Sequence, residues 1–273
     1  PGQITRVWSA TDHCGNTASA TQTITLLPPT APILVGVPED MEIVCGAAVP
    51  PPPVVTALAA PGCEAAPLPG LILHYPFDED LGDRVLDASG GGRTGLVDGA
   101  TWVPDGAHGG AFRFDSNQQC ITATDARLPA GDAPRTIAAW VRLDTAMPDA
   151  STGLIFYGKR YFFNQESGVG VDGRHDRDQF FFSQGGACFL SQRKVGNVGL
   201  WVHVAYTYGG EGRHHLYVNG EASDGPNELY GALDTVLDGV LRVGGQPWDT
   251  GLAGVSADEI MIFDRELSAA EVA

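Results

Sequence analysis

Residues 200–223 read LWVHVAYTYGGEGRHHLYVNGEAS, and this stretch decides the fold. In its second half Leu216 and Val218 fall on one face of an extended strand. Asn219-Gly220 follows them at the place where a two-residue hairpin turn needs positive φ at both central positions. His203 lies in the first half, again within a strand pattern. His214 and His215 are neighbours on one strand, so they point to opposite faces and cannot jointly ligate a metal from either face. The same punctuation recurs in LILHYPFDED (71–80), GGAFRFDSNQQCITAT (109–124), RTIAAWVRLD (135–144) and GVSADEIMIFDRELSAAEVA (254–273). Strands separated by Gly, Asp and Asn turns are what two packed antiparallel sheets require.

Composition points the same way. The 273 residues have room for one large all-β domain or two smaller ones, with 36 glycines and 19 prolines scattered as turns and no long stretch of helical periodicity. The formal net charge is −17, from 33 acidic against 16 basic residues. Such a surface repels phosphate backbones and anionic membranes, which excludes nucleic acid as a partner. No apolar run has the length of a membrane span, so no membrane insertion is expected. The absence of an initiator Met or a signal segment reads as a mature product or a fragment. Five cysteines occur without a C-x-x-C pair, which argues against a zinc ribbon or a thioredoxin-like site. An odd count leaves one thiol to find a partner on another chain in an oxidising compartment, and an extracellular or cell-surface location is the expectation.

Three segments separate along the chain. Residues 1–27 form a hairpin, with Ile4, Arg6, Trp8 and Ala10 alternating before an HCGN turn. Residues 28–69 comprise a stiff proline-rich linker and a second stretch with short strand candidates at 41–45 and 54–57 on either side of prolines 50–53. Residues 70–273 hold the recurring strands. A hairpin alone is marginal in water, so residues 1–27 need a sheet to join.

RVWSATDHCGNTASATQTITL (6–26) resembles the closing strands of hyalin-repeat-type immunoglobulin-like modules, and VPEDMEIVCGAAVPPPPVVTA (37–57) with Cys63 is similar to the opening strands of the same module. The ending thus precedes the beginning. From residue 70, YPFDE, LDASGGGRTG, the LWVHVAYTY and LYVNG pair and ADEIMIFDRELSAAEV resemble the laminin-G-like, concanavalin A-like jelly roll, in the family's order. The resemblance implies an antiparallel jelly-roll β-sandwich preceded by partial immunoglobulin-like segments.

It also implies a Ca²⁺ site at Asp78, Glu79, Asp87 and Asp258, because a hard cation takes carboxylate and carbonyl oxygens. The other reading has Asp87 and Ser89 merely tying a Gly-rich turn. Asp172, Asp176 and Asp178 are interleaved with Arg174 and Arg177 and read as a solvated, internally paired loop. No E-x-D-x-x-E string and no G-x-S-x-G elbow occurs, and Asp258, Glu259 and Asp264 match the closing motif of non-catalytic relatives, so no catalytic residues are expected. Trp248, in a loop, is the candidate ring for a sugar, with Tyr157, Tyr161 and the QFFF run (179–182) as further aromatics. Trp140 and Trp201 lie inside strand patterns and read as packing residues.

Cys120 and Cys188, the two cysteines of the jelly-roll segment, are expected to pair. Cys14 is expected to bridge to Cys63 or Cys45 of a neighbouring chain, as the hairpin of one subunit completes the sandwich of the next. The function expected is that of an extracellular, non-catalytic structural or adhesive unit, one of several tandem modules or a head-to-tail polymer. The alternative is a calcium-dependent carbohydrate-binding module with cell-surface glycans as partners.

Overall fold

The computed structural model describes residues 2–11, 16–26, 33–35, 56–58, 68–146, 151–159, 164–174, 179–184, 188–195, 198–227, 231–245 and 254–273. The chain divides into two compact units, Pro1–Ala66 and Pro67–Ala273. In the first, β1 (Gly2–Thr11) and β2 (Thr17–Leu26) pair antiparallel from Gly2↔Leu26 to Thr11↔Thr17, as the alternation of the opening residues requires. A separate short pair joins β3 (Ile33–Val35) to β4 (Thr56–Leu58). The strand expected over 41–45 and the cysteines Cys14, Cys45 and Cys63 lie outside the described residues.

The second unit is a two-sheet antiparallel sandwich. Its strands begin with β5 (Leu71–Tyr75), β6 (Arg84–Val85), β7 (Gly95–Asp98), β8 (Thr101–Val103), β9 (Ala111–Phe114), β10 (Cys120–Ala123), β11 (Arg135–Leu143) and β12 (Ser151–Gly158). They continue with β13 (Glu166–Asp172), β14 (Gln179–Ser183), β15 (Cys188–Lys194), β16 (Trp201–Tyr208), β17 (His214–Val218), β18 (Glu221–Ala222), β19 (Asp224–Asn227), β20 (Leu241–Gly244) and β21 (Val255–Phe263). One sheet has the order β19-β15-β14-β13-β12-β20-β10-β7-β6. The other runs β18-β17-β16-β11-β21-β9-β8, with β5 also paired to β21.

The inner faces follow the period of two. Ile137, Ala139, Val141 and Leu143 of β11 and Val202, Val204, Tyr206 and Tyr208 of β16 meet Ile155, Tyr157, Val169, Val171, Phe180 and Phe182 of the facing sheet in one core. Phe182 stacks on Tyr206 at 3.7 Å between ring centroids, which locks the sheets face to face. Each such buried apolar side chain contributes about 1.5–3 kcal/mol. Arg135, fully buried, ties the same interior together by donating to the Tyr157, Ser167 and Thr235 hydroxyls and to the Gly131 and Ala133 carbonyls.

The hairpin at residues 214–222 is built as its residues dictate. Leu216 and Val218 are buried, Val218 pairs with Glu221, and Asn219 and Gly220 take φ of 51° and 75°. After β21, the short helix α1 (Ala269–Val272) brings Val272 and Leu267 onto Ala138, Ala205, Tyr217 and Phe263. It therefore covers part of the outer face of the second sheet.

The expected Cys120–Cys188 bridge is not formed, and both thiols are free. Cys120 is on β10 and Cys188 on β15, with β20, β12, β13 and β14 between them. Five spacings of about 4.8 Å each place the two strands roughly 24 Å apart, well beyond the reach of a disulfide. Cys120 instead accepts a hydrogen bond from Arg242 Nη1 at 2.8 Å.

Candidate functional site

The outer face of the second sheet carries the site. Between the core residues of β11 stand Ala138, Trp140 and Arg142, and between those of β16 stand Trp201, His203 and Ala205. The register sets Trp140 beside His203 and Arg142 beside Trp201. Trp140 and Trp201 are half-buried, which corrects their assignment to the packed interior. Trp140 contacts His203 at 5.4 Å and, on its other side, His108 at 5.5 Å between ring centroids. The Arg142 guanidinium lies 4.8 Å over the Trp201 ring while it pairs with Asp144 at 2.7 Å and Asp105 at 2.9 Å. Burial pushes the His203 imidazole below its ordinary range, so it is neutral at pH 7.

Two cavities share the Trp140 and His203 rings. The larger, about 520 Å³, extends toward β17 and is lined also by Trp201, Asn219, Gly220, Val272 and Ala273. The smaller, about 290 Å³, extends toward β21 and is lined also by His108, Ala138, Glu259 and Met261.

Glu259 reaches the smaller cavity because of a β-bulge. Ala138 pairs with Met261 and Trp140 with Asp258, so Ala139 alone stands opposite Glu259 and Ile260. Glu259 takes φ of 49°, a left-handed conformation costly for a residue with a Cβ. At the same point β21 changes neighbours, pairing with β9 over Val255–Ala257 and with β5 over Ile260–Phe263. The loop after β8 fills the gap. Its His108 amide donates to Asp258 Oδ2 at 2.9 Å, and the Glu259 amide donates to Asp258 Oδ1 at 2.7 Å. Asp258 is wholly buried, and that burial, helped by the adjacent Glu259 charge, pushes its carboxyl up to about 6. The Glu259 carboxylate is held by His74 Nε2 at 2.6 Å.

The four expected calcium ligands divide. Asp87 closes the Gly-rich turn: Oδ1 accepts from the His74 and Ser89 amides and the Ser89 hydroxyl, and Oδ2 accepts from the Arg93 amide. Its lone pairs are thus taken by hydrogen-bond donors. Asp78 and Glu79 are exposed, and Gly109 packs so closely on Asp78 that a methyl group there would clash. Asp258 contacts the same loop, 106–110, from beneath. Among the described residues no group of three or more His, Cys, Asp or Glu side chains is placed to hold a metal.

Trp248, Tyr161, Asp176 and Asp178 lie outside the described residues. Tyr157 is buried in the core, and Asp172, also buried, pairs with Arg174 at 2.8 Å. The two site tryptophans were accessible to sequence reasoning through phase alone. Trp140 is out of step with Ile137, Ala139 and Val141, and Trp201 with Val202 and Val204.

Solved structures share the fold at low identity. The binding domain of Paraclostridial Mosquitocidal Protein 1 is 18% identical with a TM-score of 0.57, over 74% of this chain and 51% of that one. Domain 4 of AbnA, an extracellular arabinanase from Geobacillus stearothermophilus solved in complex with arabinotriose, is 18% identical with a TM-score of 0.55, over 74% of this chain and 96% of that one. Trypanosoma rangeli sialidase is 18% identical with a TM-score of 0.56, over 79% of this chain and 33% of that one. Among curated proteins, no sequence matches the chain. Residues 115–273, more than half of the sequence, match the concanavalin A-like lectin/glucanases superfamily, and the chain belongs to that family.

Proposed function

We propose that the sandwich of residues 67–273 is a non-catalytic, extracellular carbohydrate-binding module that receives its ligand on the outer face at Trp140, His203 and Trp201. The observation that carries this reading is the half-exposed row of rings beside two cavities with Asn219 and Glu259 at their walls. Aromatic faces stack on the apolar face of a pyranose, while a few placed polar groups orient its hydroxyls. A strained bulge that turns a carboxylate into the smaller cavity is a cost the fold bears where a ligand is to be met.

Support for a non-catalytic role comes from the carboxylates. Glycoside hydrolysis uses two, facing each other across the scissile bond. Among the described lining side chains Glu259 supplies the carboxylate, and Asp258 is sealed behind it. Calcium is part of the proposal only through Asp78, Glu79 and Asp258 around the 106–110 loop, since Asp87 is consumed by its turn.

A glycan array tests the reading. The chain should give discrete hits, and Trp140→Ala, Trp201→Ala or both should abolish them while the melting curve stays cooperative. A uniformly blank array would refute it.

A second reading, head-to-tail assembly through residues 1–27, draws on one observation: among the described residues β1–β2 and β3–β4 each form a two-stranded sheet, too small to be stable alone. Sedimentation of the intact chain and of a chain lacking residues 1–27 tests it. The assembly reading requires polymer in the first and monomer in the second.

A further inference from the structure

We infer that the groove takes a segment of an uncharged oligosaccharide, at least two sugar residues long, and discriminates against acidic glycans; this rests on the carbohydrate-binding reading of the same face. The length follows from the two cavities. They share Trp140 and His203 as a common wall, and one opens toward Trp201 and Asn219, the other toward Glu259 and His108. A single sugar occupies one cavity and leaves half of the aromatic surface uncovered. A ligand that crosses the shared rings covers both.

The charge preference follows from what lines the cavities. The donors are neutral. Neither the indole nitrogen of Trp140 nor the ring nitrogens of His203 have a hydrogen-bond partner among the described residues, and burial keeps His203 uncharged. Asn219 uses its carbonyl oxygen to accept from the His203 amide at 2.9 Å, which leaves its NH₂ for the ligand. Among the described lining side chains the carboxylate is that of Glu259.

Glu259 is itself held by His74 Nε2 at 2.6 Å, and the guanidinium of this face does not reach the cavity. Arg142 is committed to Asp144 and Asp105 and lies flat on Trp201 rather than reaching across it. That trio of charged groups carries a net negative charge. A ligand carboxylate or sulfate about 5 Å from Glu259 is repelled strongly enough in this partly desolvated setting to weaken binding at least about tenfold. Neutral hydroxyls meet no such penalty, and Glu259 accepts hydrogen bonds from them.

The test uses the full chain on an array holding neutral, uronate-containing, sialylated and sulfated oligosaccharides, followed by calorimetric titration with the strongest neutral hit, its monosaccharide and its acidic analogue of equal length. Neutral hits should dominate, and the oligosaccharide should bind at least about tenfold more tightly than the monosaccharide. Glu259→Gln should raise the acidic-to-neutral affinity ratio at least about tenfold, the converse of the repulsion above. Trp140→Ala, with Trp201→Ala as the independent second variant, should remove binding.

Acidic glycans that bind as tightly as neutral ones, yet still depend on Trp140, would overturn this inference and leave the carbohydrate-binding reading standing. A monosaccharide that binds as well as its oligomer would overturn the two-subsite claim in the same way. No glycan hits of any class, or hits indifferent to both tryptophan variants, would overturn the reading and the inference together.

Discussion

Replacing Asp258 by Asn removes a carboxyl that burial has lifted from 3.8 to about 6. Between those values the native state holds a proton that the unfolded chain has already released. The folded protein therefore binds more protons across this window, and the contribution of Asp258 to stability falls as pH rises through it. Above about pH 6 both states are ionised and the penalty is constant. At about 1.4 kcal/mol per pH unit, the full window is worth about 3 kcal/mol. His203 and His214, both pushed down by burial, act with the opposite sign near neutrality, because their native forms bind fewer protons than the unfolded chain. Comparing wild type with D258N at each pH cancels them. The Asn side chain also sets an NH₂ group against amides that now donate to Asp258 Oδ2, which adds an offset independent of pH. Urea unfolding of both proteins from about pH 4.5 to 7.5 reads the effect: the wild type should gain about 2 kcal/mol on D258N between pH 6 and 4.5, with no change in the difference above pH 6. Parallel stability profiles across that whole range would refute the assignment of a raised carboxyl to this site.

Arg135→Ala should destabilise the protein by about 3–5 kcal/mol in urea, because it strips donors from three buried hydroxyls and two carbonyls that join the sheets. Gly220→Val should cost about 1–2 kcal/mol in the same assay, since φ of 75° is unfavourable for a branched residue, and Gly220→Asn should cost less. Calcium at one hundred times its dissociation constant should add about 2.7 kcal/mol if Asp78, Glu79 and Asp258 hold it, read as a melting-temperature rise that EDTA reverses. Superimposable melts with calcium and EDTA would assign those carboxylates to hydrogen bonding alone.

Much of the sandwich was legible in local pattern. Leu216 and Val218 with Asn219-Gly220 specify strand, face and turn within five residues, and no distant contact is needed to read them. The disulfide expectation failed because pairing depends on strand order, a non-local property: Cys120 and Cys188 each sit in a strand of the same sheet, five positions apart. Trp140 and Trp201 were misread because residue type, large and aromatic, was given more weight than their phase against Ile137, Val141 and Val202. The bulge that aims Glu259 leaves a faint trace. In ADEIMIF the core residues Ala257, Ile260 and Ile262 are spaced by three and then two, so one extra residue must be accommodated. What no pattern discloses is that loop 106–110 closes the gap between β5 and β9 and buries Asp258, since that requires both sheet neighbours of β21 to be known.

The most direct test of the binding face is the nitrogen–proton spectrum of the indole groups during titration with the strongest glycan-array hit. The chain has five tryptophans. Trp102 Nε1 is committed to the Phe77 carbonyl at 2.7 Å and serves as an internal control. The account predicts that the Trp140 and Trp201 resonances, assigned by their Phe variants, shift and saturate with the glycan while Trp102 stays fixed. Saturating shifts confined to Trp248, with Trp140 and Trp201 unmoved, would contradict it and move the ligand to the loop.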